Sequence, residues 1–179
     1  MGWFSPVKGS YPSLAQVDKT LPVKEGVKAI QRGTIVALKS DDTGKSAEGV
    51  WDVAAATDKL LYVSLQDYTD PTAGFAGSAF DPKGGVPRIT GIDLAQDGEY
   101  ETSVFDTSKT YTVGEALYAV DGVLTNAGSG GDYVVGYVTA PSTSRWVNNA
   151  IAVPADGTDP RLAIRTGATL KVLRFKTAV

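Results

Sequence analysis

Two stretches of the chain repeat one pattern. "GTIVAL…GVWDVA…DKLLYVSL", from Gly33, parallels "GEALYA…GVLTNA…DYVVGYV", from Gly114. Each reads as a Gly-initiated strand, a Gly-Val strand and an Asp-initiated strand, the elements of a three-stranded meander. Glycine opens turns where φ must be positive or backbones approach closely, and small or apolar residues in the third strand suit a crowded interior. The similarity is loose, so convergence of β-meander chemistry explains it nearly as well as duplication. Either origin implies a barrel or sandwich.

Composition agrees with that architecture. The 179 residues suffice for one domain with a real core and an extended arm, and 20 Gly with 9 Pro favour turn-rich β structure. Strand-like runs follow from Val27: "VKAI", "TIVALKS", "VWDVAAATD", "KLLYVSLQD", "RITGIDL", "EYETSVFD", "ALYAV", "GVLTNA", "YVVGYVTA", "RLAIRT" and "TLKVLRFK". In "KLLYVSLQD" Leu61, Val63 and Leu65 share a face if extended, while "AAATDKLL" has a helical turn as its alternative. "DDTGKSAEG" reads as a loop, and Asp121-Gly122 as a type I′ hairpin turn. Residues 1–26 carry aromatics among prolines without sustained period and read as an extended N-terminal arm, with a segment packed on its own domain as the open alternative. The expected organisation is that arm followed by a single β-rich domain over 27–179.

Several function classes are disfavoured. Zero Cys and zero His remove thiolate nucleophiles, imidazole bases and His- or Cys-ligated metals, leaving carboxylates, Lys, Tyr or a bound Mg²⁺ or Ca²⁺ for any catalysis. The net charge of −3 gives no basic field for nucleic acid. The N-terminus shows no secretory signal or myristoylation pattern, and no segment approaches a bilayer span, so neither nucleic acid nor membrane is an expected partner.

Candidate chemistry is weak at each place it is sought. "TGKS" at Thr43–Ser46 ends like a phosphate-binding loop, but the glycine that pattern needs is Lys39. "GSGGD" at Gly128–Asp132 lacks the strand-then-helix setting of a dinucleotide fingerprint. Glu99 with Glu101, and Asp67 with Asp70, are the nearest carboxylate pairs for glycoside chemistry; they read instead as the wet face of a strand and as Asx turns before a proline. "SDDTGKSAEG" fails the EF-hand spacing. No catalytic residue, metal or cofactor is expected. The basic run Arg161, Arg165, Lys171, Arg174, Lys176 reads either as a charge-protected edge strand or as an anchoring face against an acidic partner.

From Ile89 to Thr139, the "FDTSKTYTVGEALYA" lead-in, "DGVLTNA" and "DYVVGYVT", preceded by "G-x-x-V-x-L" at Gly33–Leu38, give a chain that resembles the capsid decoration (cement) proteins of tailed bacteriophages. The resemblance covers about a third of the chain closely. It implies a small β-rich virion protein, often trimeric, made in the host cytoplasm, that binds the major capsid protein on the outer surface of the shell. Such proteins act through whole surfaces, so no family site residues carry over.

From the residues themselves the expected capsid contacts are Trp3, Phe4, Tyr11 and Leu14 of the arm, with Arg165, Lys171, Arg174 and Lys176 as secondary candidates. Two rival functions stand beside this one. One is another virion component, such as a head-fibre base or a tail or baseplate protein. The other is a carbohydrate-binding module that stacks sugars on Trp51, Tyr68 or Trp146.

Overall fold

The computed structural model describes residues 4–8, 19–44, 46–69, 88–95, 97–146 and 169–178. Among these residues the chain forms strands and turns and no helix, so the protein is all-β and "AAATDKLL" is a turn before a strand. The strands are β1 (Phe4–Lys8), β2 (Lys19–Pro22), β3 (Ala29–Ile30), β4 (Ile35–Lys39), β5 (Val50–Val53), β6 (Leu61–Ser64) and β7 (Tyr68–Thr69). They continue as β8 (Arg88–Asp93), β9 (Glu99–Thr102), β10 (Ala116–Val120), β11 (Val123–Thr125), β12 (Gly136–Trp146) and β13 (Thr169–Thr177). One antiparallel sheet has the order β2-β8-β6-β4-β5, a second has β1-β9-β13-β12-β10-β11, and β3 pairs with β7.

Five strands of each large sheet follow one plan, and the likeness extends well beyond the sequence repeat. In the first unit β6 and β5 flank β4; in the second β12 and β11 flank β10. The first strand of each repeat is therefore central, which corrects the expected meander. A near-continuous apolar run such as "IVAL" suits a strand covered on both faces. The registers coincide: Ile35 opposes Val63 and Val36 opposes Tyr62, as Ala116 opposes Tyr137 and Leu117 opposes Gly136. On the other side Lys39 opposes Val50 as Val120 opposes Val123.

The hydrogen bonds repeat as well. Gly33 N donates to Ser64 O at 2.7 Å, and Gly114 N to Val138 O at 2.8 Å, each from a glycine near φ 90° (91° and 89°). Ser64 N donates to Thr34 O and Val138 N to Glu115 O, both at 2.9 Å. Ala55 N donates to Asp58 Oδ2 at 2.9 Å, as Ser129 N does to Asp132 Oδ2 at 2.6 Å. β8 continues the first unit as β13 continues the second, with Val63 opposite Ile92 and Tyr137 opposite Lys176. β2 then lies on β8 as β9 lies on β13, with Thr20 opposite Thr90 and Glu101 opposite Arg174. β1, laid on the outer edge of β9, has no counterpart on β2 among the described residues.

Both sheets curl. A single parallel bridge joins Val23 to Trp51 in the first unit and Phe105 to Leu124 in the second, drawing the far edges together without a continuous closing ladder. Inside the first curl sit Leu21, Val23, Ile30, Val36, Trp51, Tyr62 and Ile89. The opposite face of that sheet (Ile35, Ala37, Leu61, Val63) joins the inner residues of the second unit in one larger core with Leu117, Leu124, Leu173 and Phe175. Leu61, Val63 and Leu65 do share the face expected for them. Each large apolar side chain removed from water contributes about 1.5–3 kcal/mol, so the shared core makes the two units one cooperative body.

The hairpin turn at Asp121-Gly122 locks them together. Its φ values of 49° and 73° are those of the expected type I′ turn. Gly122 N donates to Ala54 O and Gly122 O accepts from Ile35 N, both at 2.9 Å. A Cβ on Gly122 would lie 2.6 Å from Thr34 Cγ2, so the turn reaches the first unit only as glycine.

The N-terminal segment behaves differently from a free arm where it is described. β1 and β2 are edge strands of the two sheets, and Phe4 is 2% exposed, stacked on Tyr100 with ring centroids 5.2 Å apart. For these residues the packed alternative holds. The C-terminal strand is not an edge either: β13 lies between β9 and β12, because Leu173 and Phe175 are core residues. β12 also continues through Pro141 to Trp146, past the Ala140 end of the expected strand "YVVGYVTA"; breaks in register on either side of Ala140 let the strand accommodate the proline.

Candidate functional site

The outward face of the second unit differs most from its copy. Strand alternation turns Val138, Leu173 and Phe175 inward and Tyr137, Arg174 and Lys176 outward. Tyr137, 46% exposed, stands directly across from Lys176, whose Nζ lies 3.1 Å from Asp97 Oδ1. Beside them Arg174 donates from Nε (3.0 Å) and Nη2 (2.6 Å) to Glu101 Oε1, and Thr139 Oγ1 donates to Glu99 Oε1 at 2.6 Å. The register equivalents in the first unit are Val63 for Tyr137 and Ile92 for Lys176, both packed in the shared core. One face of the unit is thus an apolar interface in its first copy and an exposed aromatic and charged surface in its second.

That surface contains only part of the expected contact set. Arg174 and Lys176 belong to it, although Arg174 is half-buried and committed to Glu101. Lys171 is exposed on β13, but alternation puts it on the opposite face from them. Phe4 is a core residue. Trp3, Tyr11, Leu14 and Arg165 lie outside the described residues, as does the expected strand "RLAIRT". Tyr137 was missed because "YVVGYV" reads as an interior strand; the signal that marks it is its place opposite Lys176, a pairing visible only once the register is known.

The other chemical candidates resolve into structural roles. Glu99 and Glu101 do share a face, but Glu101 is 4% exposed and bound to Arg174, so this is not a wet face. Asp67 accepts from Arg32 N at 2.8 Å, while Asp70 lies outside the described residues. The loop 40–49 joins β4 to β5 as expected, with Asp41 accepting from Thr43 N at 2.9 Å and Ser46 N at 2.6 Å. A groove of about 650 Å³ runs along this loop between Leu38, Asp41, Glu48 and Leu60. "GSGGD" is a turn closed by Asp132, which accepts from Ser129 N and Oγ.

Trp51 cannot stack a sugar. It is fully buried, tilted against Tyr62, and its Nε1 donates to Ile89 O at 2.9 Å. Tyr68 is half-buried in β7 against the same core, and Trp146 closes β12.

The resolved titration shifts all lead away from neutrality. Burial, reinforced by Asp106, pushes Tyr111 up to about 12, and burial also raises Tyr62 and Tyr100. Hydrogen bonds from the Ser108 hydroxyl and amide hold Asp106 below the usual carboxylate value, and the hydrogen bond to Asp52 raises Lys24. Comparisons with protein-family models, with curated proteins and with solved structures give no match.

Proposed function

We propose that the protein is a structural virion component, a decoration or cement protein that binds the outer surface of a tailed-phage capsid through the major capsid protein. The observation that carries this reading is the asymmetry between the units: the face that the first unit buries against its neighbour presents in the second the exposed Tyr137, Lys176 and Asp97, beside the half-buried Arg174 and its buried partner Glu101. A large amphipathic aromatic rimmed by paired charges suits protein–protein contact, where tyrosine concentrates binding energy and charges fix register. The "FDTSKTYTVGEALYA" and "DYVVGYVT" motifs supply the virion context through their resemblance, and a self-associated form, a homotrimer, suits the three-fold positions of a shell.

The test adds purified protein to expanded capsids that lack decoration, followed by co-sedimentation and electron microscopy. Expected is saturable binding with density on the outside of the shell, reduced at least about tenfold in affinity by Tyr137→Ala. Density on the tail, or no binding, overturns the capsid reading.

A further inference from the structure

We propose that β1 is an exchangeable strand: in the assembled protein the outer edge of β9 is covered by Phe4–Lys8 of a second copy of this chain. Three observations lead there. Among the described residues every long strand from β2 to β13 has a place in the plan common to the two units, whereas β1 is an addition, and the first unit shows the same five-strand order with no counterpart to it. The attachment is one short antiparallel ladder, Phe4 opposite Thr102 through Lys8 opposite Glu99, interrupted between Pro6 and Lys8, with Pro6 contributing no amide donor, and one long hydrogen bond from Arg32 Nη2 to Phe4 O at 3.4 Å. Residues 9–18 connect β1 to β2, and ten residues span at most roughly 33 Å when extended, so the sequence length alone does not tie β1 to its own sheet.

The acceptor edge makes exchange specific. β9 presents Tyr100, tilted against Phe175 at 5.9 Å, and Phe4 completes this aromatic group from the edge. Leaving the edge bare would expose Tyr100 and a row of unpaired backbone groups, a template that any extended strand of matching pattern covers. A neighbour's β1 makes the same hydrogen bonds and fills the same site as the chain's own, so exchange exchanges like for like and adds only the contacts between the two molecules. The inference rests on the proposed function solely for self-association. Its test uses no capsid, so failure to bind a particle and failure to exchange are separate results.

The absence of native cysteine makes the test clean. Full-length Lys8→Cys and Glu99→Cys chains, opposite one another across the ladder, are mixed, refolded together and oxidised, and the double variant is oxidised alone. Exchange predicts a disulfide between the two different chains and a covalent multimer of the double variant on non-reducing gels. Disulfides confined within single chains, or wild-type protein that sediments as a monomer at every concentration, overturn it. Full-length Phe4→Ala gives an independent readout: exchange predicts self-association weakened about tenfold or more with the sheets still folded by circular dichroism. Unchanged association in that variant overturns the proposal, whether or not any disulfide forms.

Discussion

The first unit encloses its own core around Trp51, while the second contributes its inner residues to a core it shares with its neighbour. At equivalent register positions Trp51 and Leu124 occupy the closing strand, Tyr62 of the first unit corresponds to Gly136 of the second, and Gly91 to Phe175. The aromatic has changed strands between the copies. In the first unit Gly91 leaves room for the Trp51 ring, 3.1 Å from where a Cβ would stand; in the second Gly136 lies beside the Phe175 ring at the same separation. One backbone plan therefore accepts two different side-chain fillings, provided a glycine sits where an aromatic ring must pass. It follows that the fold is determined by register and volume more than by residue identity.

The largest expected break in this comparison is Trp51→Ala. Its ring is fully buried and hydrogen-bonded, so the loss is about 4 kcal/mol in urea denaturation. Leu124→Ala, its counterpart, removes less volume and costs about 3 kcal/mol. Equal costs at the two positions would mean that the two interiors are packed alike, against the division drawn here.

The repeat in sequence was legible over β4–β6 and β10–β12 because those strands keep glycines at the same turns and aspartates at the same caps. It was illegible in the flanking strands. "KTLP" and "EYET", or "RITGID" and "LRFKT", share no pattern of residue types, since β2 and β8 enclose a private core while β9 and β13 carry the Glu101–Arg174 pair and the edge that receives β1. The same cause hid the site. A basic C-terminal run is read from sequence as one face, but only register shows that Arg174 is held by a buried carboxylate and that Lys176 stands across from an exposed tyrosine.

The next largest effect separates Arg174 from its counterpart Thr90. Arg174→Ala leaves Glu101 buried without its guanidinium, and because Arg174 itself is half-exposed the expected cost is about 2 kcal/mol, below the range for a fully enclosed pair. Thr90→Ala removes one exposed hydroxyl contact to Thr20 at 3.0 Å and is expected to cost under about 0.5 kcal/mol. Thermal unfolding of the two variants measures the difference; similar midpoints would mean that the buried carboxylate finds other partners.

A pH effect specific to the shared core follows from Tyr111, which packs edge-on against Phe105. The folded state raises the phenol to about 12, so it holds the proton more tightly than the unfolded chain does. Its contribution is complete below the ordinary tyrosine value near 10 and is lost as the pH rises from there through about 12. Stability should fall across that window, and less steeply in Tyr111→Phe, with a residual slope from Tyr62 and Tyr100, which burial also raises. Parallel slopes for wild type and variant between pH 10 and 12 would remove Tyr111 as the source.

The smallest effect tests the cap that both units share. Asp58 and Asp132 each accept a hydrogen bond from the amide three residues earlier, at 2.9 and 2.6 Å, and each closes the turn that starts the third strand of its repeat. Replacing either by Ala frees that amide to water at a half-exposed position, so about 1 kcal/mol is expected in each case. Each has a second partner: Asp132 accepts from Ser129 Oγ at 3.0 Å, and Asp58 pairs with Lys39, where the second unit has Val120 at the same register position. A surface ion pair adds little, because two long side chains must be ordered in high dielectric, and the excess cost of Asp58→Ala over Asp132→Ala should be under about 0.5 kcal/mol and should shrink with added salt. Chemical denaturation in urea at low and high ionic strength reads both quantities. An excess above about 1 kcal/mol, unaffected by salt, would mean that the first unit's turn supports its core in a way the second unit's does not, and the two caps would no longer be copies in energy as they are in geometry.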